Sequence, residues 1–354
     1  MFNLESIVRR NIRELKPYSS ARDEFKGEAN IFLDANENSL GSPLTKWYNR
    51  YPDPMQAKVK EKISFIKKVP VNQIFLGNGS DEPIDLLFRC FCEPGLDQTI
   101  IFPPTYGMYE VSANINNVSI IKVPLLSNFQ LDLESLESAI TPSTKIIWIC
   151  SPNNPTGNSI NREEVEMVLN NFDGIVVVDE AYINFSRQRS FVADLQDYPN
   201  LVVLQTLSKA WGLAGLRMGM AFASPEIIAY LNKIKPPYNI SEPVQELALK
   251  ALEEIGQVND MIQQLVRSRM VLEEALLLTG EVSHVYPSDA NFLLAVFTDA
   301  KKMYQHLVSN GIVVRDRSNV MLCENSLRIT VGTETENTRL INSIQSFKEN
   351  NSPS

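Results

Sequence analysis

An acid and an amine that could do chemistry together each follow an apolar run of this chain. Lys209 comes soon after the run 201–204, and Asp179 directly follows the run 175–178. If both runs are strands of one parallel sheet, the two side chains stand at its carboxyl edge, where open α/β sheets bind ligands. A lysine there can hold an aldehyde as a Schiff base, and an aspartate can keep a pyridine nitrogen protonated. The pair favours pyridoxal phosphate chemistry, although a strand-end acid and a surface lysine without function would look the same in isolation.

A glycine-rich segment ahead of a predicted helix offers a site for a phosphate group. Residues 77–82 read GNGSDE, and glycine lets backbone amides approach an anion at a helix N-terminus, where the helix dipole favours negative charge. A plain helix N-cap would use the same residues. The segment matches neither the P-loop nor the dinucleotide fingerprint, so a nicotinamide dehydrogenase is not predicted. Arg217, just beyond Lys209, could grip a phosphate with its fork of N–H donors.

Three further residues suit contacts with a planar, oxygen-bearing ring. Residues 151–157 read SPNNPTG, and their prolines fix a loop from which Asn154 can donate to a phenolate oxygen. Tyr182 closes the run DEAY and offers a phenol, while Tyr106 follows PPT and can stack on a ring. A rigid turn and ordinary aromatic packing would use the same residue types.

Between residues 73 and 223 the chain alternates short apolar runs with loops and amphipathic stretches. This alternation predicts a mostly parallel sheet covered by helices. The predicted strands are 99–102, 119–123, 145–150, 175–178, 201–204 and 218–223. Helices are predicted at 82–91, which Ser80 and Asp81 open, and at 162–170, behind Asn161.

The pattern changes after Pro236 and Pro237. Residues 243–278 read as a nearly continuous helix, followed by strands at 291–296, 312–315 and 327–331 and helices at 300–309 and 334–348. The predicted fold class is α/β, with a large domain whose mostly parallel sheet is sandwiched by helices, a smaller C-terminal α+β domain and an N-terminal arm. We expect the arm at 1–30, the large cofactor-binding domain at 31–236, and the small domain with its long linking helix at 237–354.

Composition narrows the classes of function. The chain has 354 residues, 44% of them hydrophobic, and a formal net charge of −9, which argues against a nucleic-acid surface. No apolar stretch approaches the roughly 20 residues that span a bilayer, and the first residues lack a signal peptide's apolar core. We therefore expect a cytoplasmic protein with no membrane partner. Its four scattered cysteines are expected to be reduced. His284 and His306 lie apart with no matching acidic partner motif, so neither a metal site nor a Ser-His-Asp triad is predicted.

As an ordered set, the motifs resemble those of the fold-type I pyridoxal-phosphate aminotransferases. They are GNGSDE, PPTYGMY, SPNNPTG, DEAY, TLSKAWGLAGLRMG and LRITVG, and they extend over essentially the whole chain. The further runs LDANEN at 33–38 and RYPDP at 50–54 are similar to those of the histidinol-phosphate aminotransferases within that superfamily. Trp211 stands where other members often carry Phe, which we interpret as a tolerated aromatic exchange.

The resemblance implies pyridoxal phosphate as the cofactor and a role for each matched residue. Lys209 would be the Schiff-base lysine, Asp179 the partner of the pyridine nitrogen, and Tyr182 a third catalytic residue. The implied cofactor contacts are Asn154, Tyr182 and Tyr106 at the ring, and Ser80, Asp81, Thr206, Ser208, Arg217 and Tyr51 at the phosphate. The implied substrate contacts are Tyr18, Asn154, Arg315 and Arg328. Tyr51 would reach the cofactor of the other subunit, which implies a homodimer with a shared active site.

The reaction implied by the resemblance moves an amino group between glutamate/2-oxoglutarate and histidinol phosphate/imidazole acetol phosphate in histidine biosynthesis. Two alternatives keep the same fold: an aromatic amino acid aminotransferase, and a decarboxylase acting on a phosphorylated amino acid. A third alternative is a binding or regulatory protein without turnover. A fused DNA-binding helix-turn-helix would favour it, and the sequence contains no such segment.

Overall fold

The computed structural model describes residues 2–18 and 31–351. Its larger sheet has seven strands in the order β1-β7-β6-β5-β4-β2-β3. These strands are β1 (Ile74–Asn78), β2 (Gln98–Ile101), β3 (Ser119–Lys122), β4 (Thr144–Cys150), β5 (Ile175–Asp179), β6 (Leu201–Thr206) and β7 (Met218–Ala223). Strand β7 is antiparallel to both of its neighbours, and the remaining neighbouring pairs are parallel. The predicted mostly parallel sheet is confirmed.

The central strands are continuous apolar runs because both faces of the sheet are covered. Every residue of β5 is buried. Val176 and Val178 belong to the core on one face, whereas Ile175 and Val177 belong to the core on the other. Side chains alternate across a strand, so a sheet between two layers of helices needs apolar residues at every position.

Helices connect and cover these strands. They are α1 (Leu4–Ile7), α2 (Arg10–Glu14), α3 (Ala57–Lys67), α4 (Asp81–Phe91), α5 (Met108–Ile115), α6 (Leu133–Ala139), α7 (Arg162–Asn171) and α8 (Pro225–Ile234). Helices α4 and α7 lie within one residue of their predicted limits. The start of α8 shows how local sequence sets a boundary, since Pro225 occupies its first turn and the Ser224 hydroxyl accepts a hydrogen bond from the Ile227 N–H.

The described part of the N-terminal segment packs against the large sheet's outer helices. Ile7, Val8 and Ile12 join the same core as α4, and the Arg9 N–H donates to the Cys90 carbonyl at 2.9 Å. Residues 19–30, the rest of the predicted arm, lie outside the described residues.

A second sheet of four strands lies toward the C-terminus, in the order β10-β11-β9-β8, with every neighbouring pair antiparallel. Its strands are β8 (Val282–Val285), β9 (Phe292–Phe297), β10 (Arg315–Asp316) and β11 (Ser326–Thr330), and the accompanying helices are α9 (Glu242–Glu253), α10 (Ile255–Leu278), α11 (Ala300–Ser309) and α12 (Glu334–Asn351). Leu276, Leu307 and Ile344 bring α10, α11 and α12 into a core of their own with this sheet. The smaller α+β unit is therefore present, while the boundaries 1–30, 31–236 and 237–354 stay a prediction.

The nearly continuous helix predicted at 243–278 is confirmed as α9 and α10, which Glu254 separates. One predicted strand was wrong in extent. The strand expected at 312–315 is reduced to Arg315 and Asp316, because the Ile312 N–H donates to the Leu307 carbonyl and so completes the turn that ends α11.

Within the described ranges, no helix is both long enough and apolar enough to cross a membrane. All four cysteines are buried and unbridged, in agreement with the prediction that they are reduced.

Candidate active site

A cavity of about 680 Å³ opens at the carboxyl edge of the larger sheet. Strand register brings Cys150, Asp179 and Leu204, near the ends of β4, β5 and β6, side by side at this edge. The predicted site residues that line the cavity are Ser80, Asp81, Tyr106, Asn154, Asp179, Tyr182, Thr206, Ser208, Lys209, Arg217, Arg315 and Arg328. Of the predicted set, Tyr18 and Tyr51 do not line it.

Asp179 is a buried acid held by two hydrogen bonds. Its side chain is 2% exposed. Oδ2 accepts from the Tyr109 hydroxyl at 2.7 Å, and Oδ1 accepts from the Ala181 N–H at 3.1 Å. Burial raises the pKa of the Asp179 carboxyl, and the hydrogen bond from Tyr109 opposes that rise. A carboxyl in this setting ionises more readily when a cation lies beside it, as a protonated pyridine nitrogen would.

Sequence reasoning missed Tyr109. It is fully buried, and its ring stacks on Trp148 with centroids 5.0 Å apart. The motif PPTYGMY contains two tyrosines, and only the first was assigned a role. A signal was available, because Tyr109 lies in the first turn of an amphipathic helix directly after the loop that carries Tyr106. The contact with Asp179 depends on the packing of α5 against the sheet, which sequence alone does not give.

Lys209 lies on a loop between β6 and β7. The Leu207 N–H donates to the Met218 carbonyl and the Leu213 N–H to the Leu207 carbonyl, both at 3.0 Å, so the loop is closed at its base. The Lys209 Nζ lies 5.4 Å from the centroid of the Tyr182 ring. Partial burial and then the positive charge of Arg328 lower the pKa of the Lys209 ammonium, while Asp179 acts in the opposite direction. A lowered pKa makes the neutral amine, which is the nucleophile and the base, more accessible.

Apart from Tyr51, the phosphate-binding residues predicted from sequence lie around the N-terminus of α4. Ser80 is its N-cap. The Thr206 hydroxyl donates to the Ser208 Oγ at 3.0 Å, and Arg217 Nη2 lies 3.4 Å from Asp81 Oδ2. Together they provide backbone amides, two hydroxyls and a guanidinium in one place, which is a donor set that suits a phosphate.

The backbone conformation at position 79 favours glycine. The φ of Gly79 is +70°, which is left-handed, and a Cβ there would lie 2.5 Å from Arg217 Nη2, so the end of the arginine side chain would have to shift. Arg217 itself has a φ of 53°, a conformation that is uncommon for a residue with a side chain. Backbone strain of this kind is concentrated at functional sites, where the surrounding structure holds it in place.

Asn154 projects from a loop that Asn153 braces. The buried Asn153 amide donates to the Pro104 carbonyl at 2.9 Å and to Thr156 Oγ1 at 2.7 Å. The Asn154 Oδ1 accepts a hydrogen bond from the Arg328 guanidinium. Asn154 lines the same cavity as Tyr182, and its Nδ2 donates to no described residue, so the amide N–H groups are available to a ligand oxygen.

Arg315 and Arg328 face each other across the β10–β11 pair. Like charges directly opposite each other on antiparallel strands are destabilising. Arg317 also lines the cavity and was not predicted. Because side chains alternate along a strand, a second arginine two positions after Arg315 could have been recognised in the sequence.

The two remaining predicted residues lie outside the cavity. Tyr18 is 71% exposed at the end of the first described segment. Tyr51 stacks on Tyr238 with centroids 4.5 Å apart, and its N–H donates to Glu37 Oε1 at 2.7 Å. Their predicted contacts with substrate and with the partner subunit's cofactor stay predictions. In the described part of the chain, no group of three or more His, Cys, Asp or Glu side chains could hold a metal ion.

Comparison with known proteins agrees with this architecture. The histidinol-phosphate aminotransferase of Cytophaga hutchinsonii is 55% identical over 346 residues, which cover 98% of this chain and 99% of that protein. The crystal structure of the histidinol-phosphate aminotransferase from Clostridium acetobutylicum matches with a TM-score of 0.79 at 26% identity, covering 86% of this chain and 92% of that one.

A structure of the Sinorhizobium meliloti histidinol-phosphate aminotransferase in complex with pyridoxal-5'-phosphate shares the fold, with a TM-score of 0.79 at 21% identity over 90% of each chain. The family described as aminotransferase class I and II matches residues 31–344. This chain therefore belongs to the aminotransferase class I and II family.

Proposed function

We propose that this protein is a pyridoxal-phosphate-dependent aminotransferase that exchanges an amino group between L-glutamate/2-oxoglutarate and histidinol phosphate/imidazole acetol phosphate in histidine biosynthesis. The observation that carries the proposal is that a single cavity contains an amine and a buried acid, Lys209 and Asp179, together with the facing arginines Arg315 and Arg328. The first pair suits the cofactor and the second suits an anionic substrate. The names of the relatives support the same substrate.

The residues of the cavity fit pyridoxal phosphate at both ends. The backbone at Ser80 with the side chains of Thr206, Ser208 and Arg217 would hold the phosphate, and the space beside Arg217 is kept by the missing Cβ of Gly79. Asp81 would contribute its backbone amide, and its carboxylate, which contacts Arg217, would compete with the phosphate for that guanidinium. When bound, the cofactor supplies an aldehyde that takes up the amino group and a ring that accepts electrons from the substrate carbon.

Lys209 is proposed to be both the anchor of the cofactor and the catalytic base. Its Nζ, whose pKa is lowered, would remove the proton from the substrate carbon that bears the amine and deliver it to the carbon of the cofactor's aldehyde group, and it would carry out the reverse transfer with the second substrate. Lys209 lies in a loop that hydrogen bonds close at Leu207, so its amine is restricted to few positions. An amine that is already oriented toward the substrate carbon transfers a proton faster.

Asp179 is proposed to hold a positive charge on the cofactor ring. Tyr109 and the Ala181 N–H orient its two oxygens, so the carboxylate does not have to reorganise during the reaction. On the opposite side, the Asn154 amide and the Tyr182 hydroxyl would donate to the ring oxygen.

The anionic end of the substrate is proposed to lie against Arg315 and Arg328. A phosphate dianion can accept more charge-assisted hydrogen bonds from two guanidinium groups than a carboxylate can, and each such bond contributes about 1.5–3 kcal/mol. The net charge of −9 repels anions at long range, so an anionic substrate needs this local positive charge.

The test is a comparison of amino donors. We expect kcat/KM for histidinol phosphate to exceed that for histidinol on the order of a hundredfold or more. Arg315→Ala and Arg328→Ala should each reduce this preference while the cofactor still binds. Equal use of histidinol or phenylalanine would contradict the substrate assignment and favour an aromatic amino acid aminotransferase, and release of carbon dioxide from a phosphorylated amino acid would favour the decarboxylase.

We further propose that the enzyme is a homodimer whose active sites are shared. Large apolar side chains are exposed along residues 31–51, among them Leu33 at 82%, Leu40 at 89% and Trp47 at 61%. Monomeric proteins rarely expose apolar surface in such concentration. Tyr51 lies in this segment and outside its own cavity, so a second subunit is the place where it could meet a cofactor phosphate.

Mixing two inactive variants tests the shared site. Tyr51→Ala and Lys209→Ala each disable every site of their own homodimer, whereas one of the two sites in a mixed dimer regains both residues. With random exchange of subunits, activity should rise to about a quarter of the wild-type value. If exchange is demonstrated and no activity returns, Tyr51 does not act in the partner subunit. A cytoplasmic location, and the absence of nucleic-acid and membrane partners, stay predictions.

A further inference from the structure

Besides Arg217, Arg315 and Arg328, the cavity contains a fourth arginine, Arg317, that neither the sequence motifs nor the proposed mechanism uses. Arg317 lines the cavity with Arg315 and Arg328. Its N–H donates to the Ser326 carbonyl at 2.9 Å, which continues the β10–β11 pairing by one step. Because side chains alternate along an extended strand, Arg317 lies on the same side as Arg315, and the intervening Asp316 points the other way.

In the part of the chain that the structure describes, no carboxylate forms an ion pair with this arginine cluster. Among the described residues, no carboxylate lies within 4 Å of a side-chain nitrogen of Arg315, Arg317 or Arg328, and the Arg317 Nε is buried without a hydrogen-bond partner. The nearest acid in sequence, Asp316, uses Oδ1 to accept the Ser318 N–H at 2.8 Å.

The pKa of Arg317 reflects the same excess of positive charge. Burial, and then the positive charges of Arg328 and Arg315, lower the pKa of Arg317, while Asp316 and Cys323 act in the opposite direction. Three guanidinium groups that share a partly buried wall repel one another, and an unpaired buried donor carries a further cost. An anion bound between the guanidinium groups would relieve both costs.

We propose that Arg317 is a specificity-determining residue that selects a phosphomonoester dianion over a carboxylate at the anionic end of the substrate. This inference rests on the proposed function and identifies which residue makes the site prefer phosphate. A carboxylate has two oxygens and one charge, which a single guanidinium can satisfy through two parallel bonds. A phosphate has three terminal oxygens and nearly two charges, so a third guanidinium adds more to its binding than to that of a carboxylate.

Loss of Arg317 should affect histidinol phosphate and glutamate unequally. Glutamate must use the same cavity with a carboxylate, so loss of Arg317 should affect it little. Arg317→Gln should lower kcat/KM for histidinol phosphate about tenfold or more, with a smaller change for glutamate and for histidinol. Arg317→Lys keeps the charge without the fork of donors and should restore part of the loss.

A binding measurement separates this role from general damage to the enzyme. In the cofactor-loaded protein, inorganic phosphate should raise the unfolding temperature more than acetate does at matched ionic strength, and Arg317→Gln should remove that difference. Arg339→Gln is the matched control, because it removes the same charge from an exposed position on α12. The control should behave as the wild type in both assays.

Each outcome decides between the two proposals. If the wild type does not prefer histidinol phosphate to histidinol, the proposed function fails. If it does and Arg317→Gln keeps the full preference, the inference about Arg317 is wrong while the function stands. If Arg317→Gln loses activity equally toward histidinol phosphate, histidinol and glutamate, or loses cofactor affinity, Arg317 has a structural role and the inference is also wrong.

Discussion

The two walls of the cavity differ in how many of their polar groups have a hydrogen-bond or ion-pair partner within the protein. On the wall formed by the larger sheet, Asp179 accepts two hydrogen bonds, and the Thr206 hydroxyl donates a hydrogen bond to Ser208. On the wall formed by the smaller sheet, Arg315 and Arg317 have no carboxylate within 4 Å among the described residues. The first wall is assembled before any ligand arrives, whereas the second is a surface of positive charge that an anion must complete.

This difference indicates that the first wall suits a bound cofactor and the second suits substrates that exchange. A cofactor that stays bound through many turnovers benefits from a wall whose geometry is fixed by internal bonds, because preorganised groups need no rearrangement during the reaction. A wall that accepts two different anions in turn benefits from charge without fixed partners. Both walls carry a stability cost, since Asp179 is a buried acid and the arginines repel one another.

The largest expected effect comes from the acid of the first wall. Asp179→Asn keeps the shape and the acceptor for the Tyr109 hydroxyl but removes the negative charge. We expect turnover to fall on the order of 10²–10³-fold or more while the fold is kept and the cofactor still binds, because an amide does not hold the ring nitrogen protonated. Steady-state kinetics on a cofactor-loaded variant measures the loss.

Near-normal turnover of that variant would show that Asp179 is only a strand-end acid. It would also remove the contrast between the two walls, since the ordered hydrogen bonds of the first wall would then have no catalytic consequence. Asp194→Asn provides a control, because it changes a buried acid that pairs with Arg162 and Arg189 and does not line the cavity.

An intermediate effect is expected for the hydroxyl that orients this acid. Tyr109→Phe keeps the stacking on Trp148 and removes one hydrogen bond to the buried carboxylate, a bond worth about 1.5–3 kcal/mol. Cofactor affinity should therefore fall roughly tenfold or more, and the loss should grow at lower pH, where Asp179 without its donor is protonated more easily. Equilibrium titration with pyridoxal phosphate at several pH values tests this, and an unchanged pH dependence would contradict it.

The smallest expected effect concerns stability without cofactor. Burial raises the folded-state pKa of Asp179 above its usual 3.8. The folded state therefore holds this proton more tightly than the unfolded state, and the associated stability, greatest at low pH, is lost as pH rises through the folded pKa. At neutral pH, cofactor-free Asp179→Asn should be more stable than the wild type, with a rise in Tm on the order of 2 °C.

The direction of this pH dependence can be tested by measuring Tm for the cofactor-free wild type and the cofactor-free Asn variant at decreasing pH. The advantage of the Asn variant should shrink as pH falls, because the wild-type carboxyl becomes protonated and loses its penalty. If the variant is less stable at every pH, the hydrogen bonds of the Asp179 carboxylate stabilise the fold by more than the burial of its charge destabilises it.

Much of the first wall was predictable from the strand pattern of the sequence. On the second wall, Arg315 and Arg328 were expected only from the family resemblance, and Arg317 was not predicted. Continuous apolar runs identify strands buried on both faces, so β4, β5 and β6 and the polar residues at their carboxyl ends were foreseen. The antiparallel direction of β7 was not, because an apolar run reads the same in either direction. Strand β1 was not singled out, although it leads directly into the GNGSDE segment.

The second wall depends on details of backbone pairing. The run 312–315 contains β-branched residues typical of a strand, yet Ile312 is used to close the end of α11. The pairing that places Arg315 opposite Arg328 begins only where that turn ends. Tyr109 was missed for a related reason, since its partner Asp179 is 70 positions away in sequence and only the packing of α5 joins them.

Reduction of the cofactor linkage can identify the lysine that carries pyridoxal phosphate. The purified, cofactor-loaded protein should be treated with borohydride, digested and mapped by mass spectrometry. Lys60 is the sharpest competitor, because burial and the charge of Lys235 lower its pKa to about 8, although it does not line the cavity. We expect a single pyridoxyl label on Lys209 that is absent from Lys209→Ala. A label on Lys60 or any other lysine, or no label on a protein saturated with pyridoxal phosphate, would contradict it.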